Sequence, residues 1–249
     1  MKAFLSVVGN TLRQQLGGRR VILLLLLGLL PAGVLGVLLA DERTAIGARE
    51  AFHEAPIVIL FFIVLPVASL VFGAGALGDE RRDGTLSFIL LRPLPRSLLA
   101  AAKLLGAWLA ALTVVGTGAL AMSVLLGIRA GTWETVGPLL LAVALSSLAY
   151  VSVFLALGYL TARAVLIGLV YVFVWESGMT SAIPSLASVS LMRIGLSAYT
   201  ALVPLGRVYV EDVLGVVSPG VGGAVAKAVG VALVAIFTVT LLLRHRDIT

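Results

Sequence analysis

The chain has 249 residues, of which 18 are Lys or Arg and 12 are Asp or Glu, with 60% hydrophobic residues and a net charge of +6. Charged residues at 12%, against roughly a quarter in an average soluble domain, are too few to cover a water-soluble surface. A soluble globular fold and intrinsic disorder are both excluded, and long apolar runs in place of short alternating strands point to an all-α polytopic membrane protein.

Residues 1–20 are too polar to cross a bilayer. Leu5, Val8, Leu12 and Leu16 recur at helical spacing, with Ser6, Asn10, Arg13 and Gln14 on other faces. The pattern predicts an amphipathic interface helix on the cytoplasmic surface, its Arg19 and Arg20 against anionic lipid, followed by a transmembrane domain over 21–249. A span needs roughly 20 apolar residues. Runs of that kind occur at about 21–40, 56–78, 104–128, 136–161, 164–183 and 221–243. The first is long enough to be an uncleaved helix and not a signal peptide.

Between spans one and two, Asp41, Glu42, Glu50, His53 and Glu54 suggest a metal site only weakly, since one histidine among scattered carboxylates is also the expected composition of an acidic outer loop. Span two ends in Gly73, Gly75 and Gly78, a G-x-G-x-x-G pattern with no strand before it; close helix packing explains it better than a nucleotide does.

Residues 79–103 read DERRDGTLSFILLRPLPRSLLAAAK. Asp83 or Thr85 is placed to cap a short helix, Gly84 permits a turn, and Leu86, Phe88, Ile89 and Leu90 supply an apolar plug, until Pro93 and Pro95 end it. A short amphipathic helix flanked by charge suits docking to another protein.

Glu176 is the one carboxylate well inside a predicted span, next to Trp175, which makes it a functional hypothesis. Pairing with Lys227 of span six or with an arginine of the following segment, contact with a substrate, and bonding to hydroxyls or water all remain open. Residues 184–220 carry Val189, Met192, Leu196, Tyr199 and Val203 on one face and Ser190, Arg193, Ser197 and Thr200 on the other. With Arg193 near its centre this segment is read as re-entrant or interfacial helix. On span six, Gly222, Ala226 and Gly230 form one small-residue stripe and Ala224, Ala228 and Ala232 another, for packing within the subunit or across a dimer. His245 is read as solvated.

Six spans place both termini on one side. That side collects 12 cations against four acids, the opposite side six against seven, so the bias predicts cytoplasmic termini. The positive charge is accounted for in this way without nucleic acid.

The stretch at 80–103, written E-x-x-x-G-T-L, then apolar residues, R-P-x-x-R and K, resembles the segment between spans two and three of ABC type-2 permeases, including the branch associated with multicopper-enzyme maturation. Glu80, Gly84, Thr85, Leu86, Leu90, Leu91, Pro93, Arg96 and Lys103 carry the resemblance, and Trp175 and Glu176 in VFVWES followed by Pro184 carry a second part of it. The resemblance implies a permease subunit of an ABC exporter in a prokaryotic plasma membrane. It also implies a second permease subunit, identical or related, and separate ATP-binding subunits that dock on the segment containing Glu80, Arg82, Gly84, Thr85, Leu86, Phe88 and Ile89. An extracytoplasmic partner is compatible with it. The chain has no G-x-x-x-x-G-K-[ST] loop, so ATP and Mg are expected on the partner and no cofactor on this chain. No span contains His, and no serine-nucleophile or paired-histidine zinc motif is present, which argues against an intramembrane enzyme. A membrane anchor or assembly scaffold, or an ion-driven carrier, is the alternative. Neither the transported substrate nor a force-relaying role is legible.

Overall fold

The computed structural model describes residues 2–40, 47–85, 94–179, 189–203 and 220–245. These form α1 (Lys2–Leu16), α2 (Arg19–Ala40), α3 (Ala48–His53), α4 (Ala55–Ile59), a first π-helical segment (Leu60–Val64), α5 (Leu65–Arg82), α6 (Arg96–Ala130), α7 (Val136–Leu160), α8 (Ala164–Val170), a second π-helical segment (Tyr171–Met179), α9 (Met192–Leu202) and α10 (Gly220–His245). Among the described residues, five stretches are long and apolar enough to cross a membrane: Val21–Ala40, Ala48–Arg82, Arg96–Ala130, Val136–Leu160 and Gly220–Arg244. The chain is an all-α polytopic membrane protein.

The segment expected to span at 164–183 differs from the other five. Its described part is α8 plus the second π segment, seven and nine residues, and the expected span runs on into residues outside the described ones. Its wider π winding begins at Tyr171, and residues 180–188 lie outside the described ones.

The bundle is centred on α5 and α7, which share its most extensive contact. Small residues set that contact. A Cβ on Gly158 would stand 2.3 Å from the carbonyl oxygen of Ala74, and one on Gly78 would stand 3.0 Å from that of Gly158. Gly73, Gly75 and Gly78 thus lie along a helix-packing surface. The crossing of α2 and α6 is as close, since a Cβ on Gly118 would fall 1.9 Å from the Gly28 carbonyl oxygen. At such points backbones meet directly, the arrangement that lets apolar helices associate in lipid without a hydrophobic driving force. The outermost helices, α2 and α10, keep Leu23, Leu26, Leu233, Val234 and Phe237 exposed.

The two ends of the bundle differ in charge. Tyr159 donates to the Leu242 carbonyl and Arg81 to the Tyr159 carbonyl, which brings the ends of α5, α7 and α10 together. Arg81, Arg82, Arg96, Lys103, Arg163 and Arg244 gather at this basic end. Helix α1 packs there against α6 and α5 through Val7, Val8, Thr11 and Gln15, and Thr11 touches Gly106. This differs from the expected face: Val8 points into the bundle, Leu12 and Leu16 are half-buried, and Leu5 is left exposed. Gly106 offers no side chain, so the short polar side of α1 finds a closer fit than its leucines do.

Helix α9 lies in the segment expected to be re-entrant or interfacial, and it packs along α7. The Met192 carbonyl accepts a bond from Ser146 Oγ (3.2 Å), and the Gly195 N–H donates to the same oxygen (2.9 Å). Helix α9 therefore starts beside the middle of α7 and runs antiparallel to it, with every residue from Met192 to Tyr199 buried. Its 11 residues measure about 16 Å, half of a ~30 Å hydrocarbon core. At its far end Tyr199 meets His53.

Candidate functional site

At the basic end, α5 closes in a Schellman motif built by the E-x-x-x-G-T pattern. Gly84 has φ +68°, the left-handed conformation that suits glycine after a helix. Its N–H donates to the Arg81 carbonyl (3.4 Å), and the Thr85 N–H reaches back to the Glu80 carbonyl (3.0 Å). Thr85 Oγ1 donates to that same carbonyl at 3.3 Å. Asp83 is the C-cap of α5; the following helix that Asp83 or Thr85 is expected to cap lies outside the described residues.

The side chain of Glu80 turns the other way and forms an ion pair with Lys103 on α6. Both are buried, at 4% and 2% exposure. A buried pair of this kind adds little net stability, because desolvation offsets the attraction, yet losing either partner strands a charge. Its effect here is positional: it ties the end of α5 to the first turns of α6. Arg82 pairs with Asp79 at the surface, and the Arg81 guanidinium lies 5.9 Å over the Tyr159 ring. Arg96 is half-buried at the first position of α6. Leu86, Phe88, Ile89, Leu90, Leu91 and Pro93 lie outside the described residues. The segment they occupy is thus bracketed by a capped helix on one side and by Arg96 on the other, with the Glu80–Lys103 pair joining the two supports.

The second cluster surrounds Glu176, itself 1% exposed. Its Oε1 accepts from the Tyr171 hydroxyl (2.9 Å) and the Leu191 N–H (2.8 Å), and its Oε2 accepts from Ser190 Oγ (2.5 Å). Ser190 Oγ in turn accepts from the Arg193 N–H at 3.3 Å. A carboxylate and a serine thereby satisfy the free N–H groups at the start of α9, where the helix dipole also favours negative charge. The guanidinium of Arg193 interacts with the same carboxylate electrostatically. Trp175 is half-buried one position earlier. Lys227 is exposed on α10 and shares a cavity wall with Ser190.

The family question is decided by the chain's own pattern of residues. A model of the ABC-2 family transporter proteins matches residues 18–189, about two thirds of the sequence. The chain belongs to the ABC-2 transporter family. No curated protein matches it. The family match covers the Glu80–Lys103 support and, of the second cluster, Tyr171 and Glu176; it ends one residue before Ser190, ahead of α9 and α10.

Within this ABC-2 protein the two small-residue stripes of α10 part company. Ala224, Ala228 and Ala232 are buried against the bundle, whereas Gly222 and Ala226 are exposed and Gly230 is half-buried, with no atom within 4 Å of a Cβ built on Gly222 or Gly230. Sequence reading placed His53 in a weak metal-site candidate and Tyr199 on an apolar helix face, and it did not pair them. His53 is buried; its Nδ1 donates to the Arg49 carbonyl (2.7 Å), which leaves Nε2 to accept from the Tyr199 hydroxyl (2.9 Å). Both ring nitrogens are occupied by protein. The two residues are 146 positions apart, and no local pattern connects them.

Proposed function

We propose that this chain is the permease subunit of an ABC exporter or force-relaying complex, driven by a separate ATP-binding subunit that docks on the segment between Thr85 and Arg96. The observation that carries this reading is the double anchoring of that segment. A partner pushing on residues 86–93 meets a capped α5 on one side and α6 on the other, joined by Glu80 and Lys103, so displacement passes into two long apolar helices. The missing phosphate loop supports a division of labour, with ATP and Mg on the partner.

In this reading the basic end faces the cytoplasm of a prokaryotic cell, as its excess of Lys and Arg favours. Two permease subunits work together, and an extracytoplasmic protein is a further candidate partner. Changing Leu86 and Ile89 together to Asp is expected to weaken binding of the ATP-binding subunit by about 30-fold, the usual effect of losing a contact worth about 2 kcal/mol. Co-purification and ATP turnover of the reconstituted complex measure it. Unchanged binding and turnover would overturn the docking role.

A further inference from the structure

Span two is a jointed helix. Pro66 has no N–H, so the Phe62 carbonyl loses its usual donor four residues on, and in a regular α-helix the proline ring would press on that carbonyl. The chain winds instead into the first π segment, Leu60–Val64, closed by the Leu65 N–H donating to the Leu60 carbonyl five residues back. A second joint lies at Glu54, whose ψ of −122° separates α3 from α4. Toward the basic end α5 is locked to α7, where a Cβ on Gly73 would stand 3.0 Å from the Val151 carbonyl oxygen. On the other side of the π segment, α3 and α4 are helices of only six and five residues, α3 packing on α2 and α6 and α4 on α2.

Two ties hold this short arm at the end of the bundle opposite the basic one. His53, 4% exposed, accepts from the Tyr199 hydroxyl of α9 at 2.9 Å, and Arg49 pairs with Glu134 in the turn between α6 and α7. The ties are unequal. Breaking the first leaves a desolvated acceptor, whereas the second joins side chains that are 48% and 58% exposed, where water competes for both charges. We propose that α3 and α4 form a lid that pivots at Leu60–Pro66 and is latched shut on α9 by His53 and Tyr199. The closed lid keeps its own Ala51 and Phe52 from water. When the Tyr199 hydroxyl lets go, the arm swings about the π segment while α5 stays on α7, and the far end of α9, with buried Ala198, is uncovered. The proposal does not rest on ATP coupling.

Because the chain contains no cysteine, single cysteines report on the lid directly. The rate at which Ala51→Cys reacts with a maleimide is measured on the full chain in nanodiscs, beside Ala100→Cys, which is buried near the start of α6 at the basic end. Tyr199→Phe is expected to speed labelling of Ala51→Cys about tenfold, the population change that corresponds to about 1.4 kcal/mol for a buried hydrogen bond, and to leave Ala100→Cys as it was. Arg49→Gln is expected to change the rate by less than about threefold. Pro66→Ala returns the donor for Phe62 and favours an unbroken α-helix; it is expected to slow labelling of Ala51→Cys about threefold, with the fold checked by size exclusion. Labelling of Ala51→Cys insensitive to Tyr199→Phe would overturn the latch. Equal acceleration at Ala51→Cys and Ala100→Cys, the outcome of general loosening, would overturn the lid, and indifference to Pro66→Ala would overturn the pivot.

Discussion

Lys103 and Glu80 are 23 positions apart in sequence and meet in a buried ion pair. Lys103→Met leaves the Glu80 carboxylate buried without its cation and is expected to cost about 3–5 kcal/mol, read as a fall in thermal unfolding temperature of the detergent-solubilised chain. The double change Glu80→Leu with Lys103→Met removes both charges and is expected to recover most of that loss. Non-recovery would mean that the pair does more than neutralise itself. At Glu176, Glu176→Leu removes three accepted hydrogen bonds at the start of α9, whereas Glu176→Gln keeps an acceptor for Ser190 or Leu191. Faster amide exchange across Met192–Tyr199 in the leucine variant, with the glutamine variant between it and the parent, is the expected result. The solitary carboxylate was legible in the sequence because charge inside a span is costly. Its partners were not, since Ser190 and Leu191 reach it only once the chain has folded back on itself.

Among the elements, those with long uncharged runs were the easiest to read, because bilayer thickness alone sets their length. Their ends were harder. Helix α6 begins at Arg96, ahead of the apolar run expected to span from 104, and carries Arg96 and Lys103 at the basic end, where charge is solvated or paired. The fifth apolar run gave no sign of its π winding, and the face of α1 that packs on Gly106 is chosen by the absence of a side chain on its neighbour. Helix contacts that depend on a missing Cβ give strong predictions. Gly158→Val would drive a branched side chain into the Ala74 carbonyl, 2.3 Å from the Cβ position, and is expected to separate α5 from α7 and sharply reduce the yield of folded protein, with a loss of about 3 kcal/mol or more. Gly222→Val, with no atom within 4 Å, is expected to leave yield and thermal stability unchanged in the same assay.

For the molecule as a whole, the fold class followed from 30 charged residues in 249, while the sidedness rests on how those charges divide between the two ends. The division is open to direct test because the chain contains no cysteine. Single cysteines at Ser97, at the basic end, and Glu134, at the opposite end, are expected to react with a membrane-impermeant maleimide from opposite sides, with Ser97→Cys labelled only after the cells are opened. Labelling of both from the same side would overturn the arrangement.

Helix α6 is continuous over 35 residues, about 52 Å of rod in a hydrocarbon core of ~30 Å. Some 20 Å of it therefore stands clear of the hydrocarbon if its far end, near Ala130, lies at the opposite interface. Such a rod joins the two ends of the bundle in one continuous element, packed by α1 at Gly106 and by α2, α5 and α7 along its length. The Arg49–Glu134 ion pair and the turn at Gly131 lie at that far end, so under the proposed coupling a displacement at Arg96 is carried along a single helix to contacts at the opposite face.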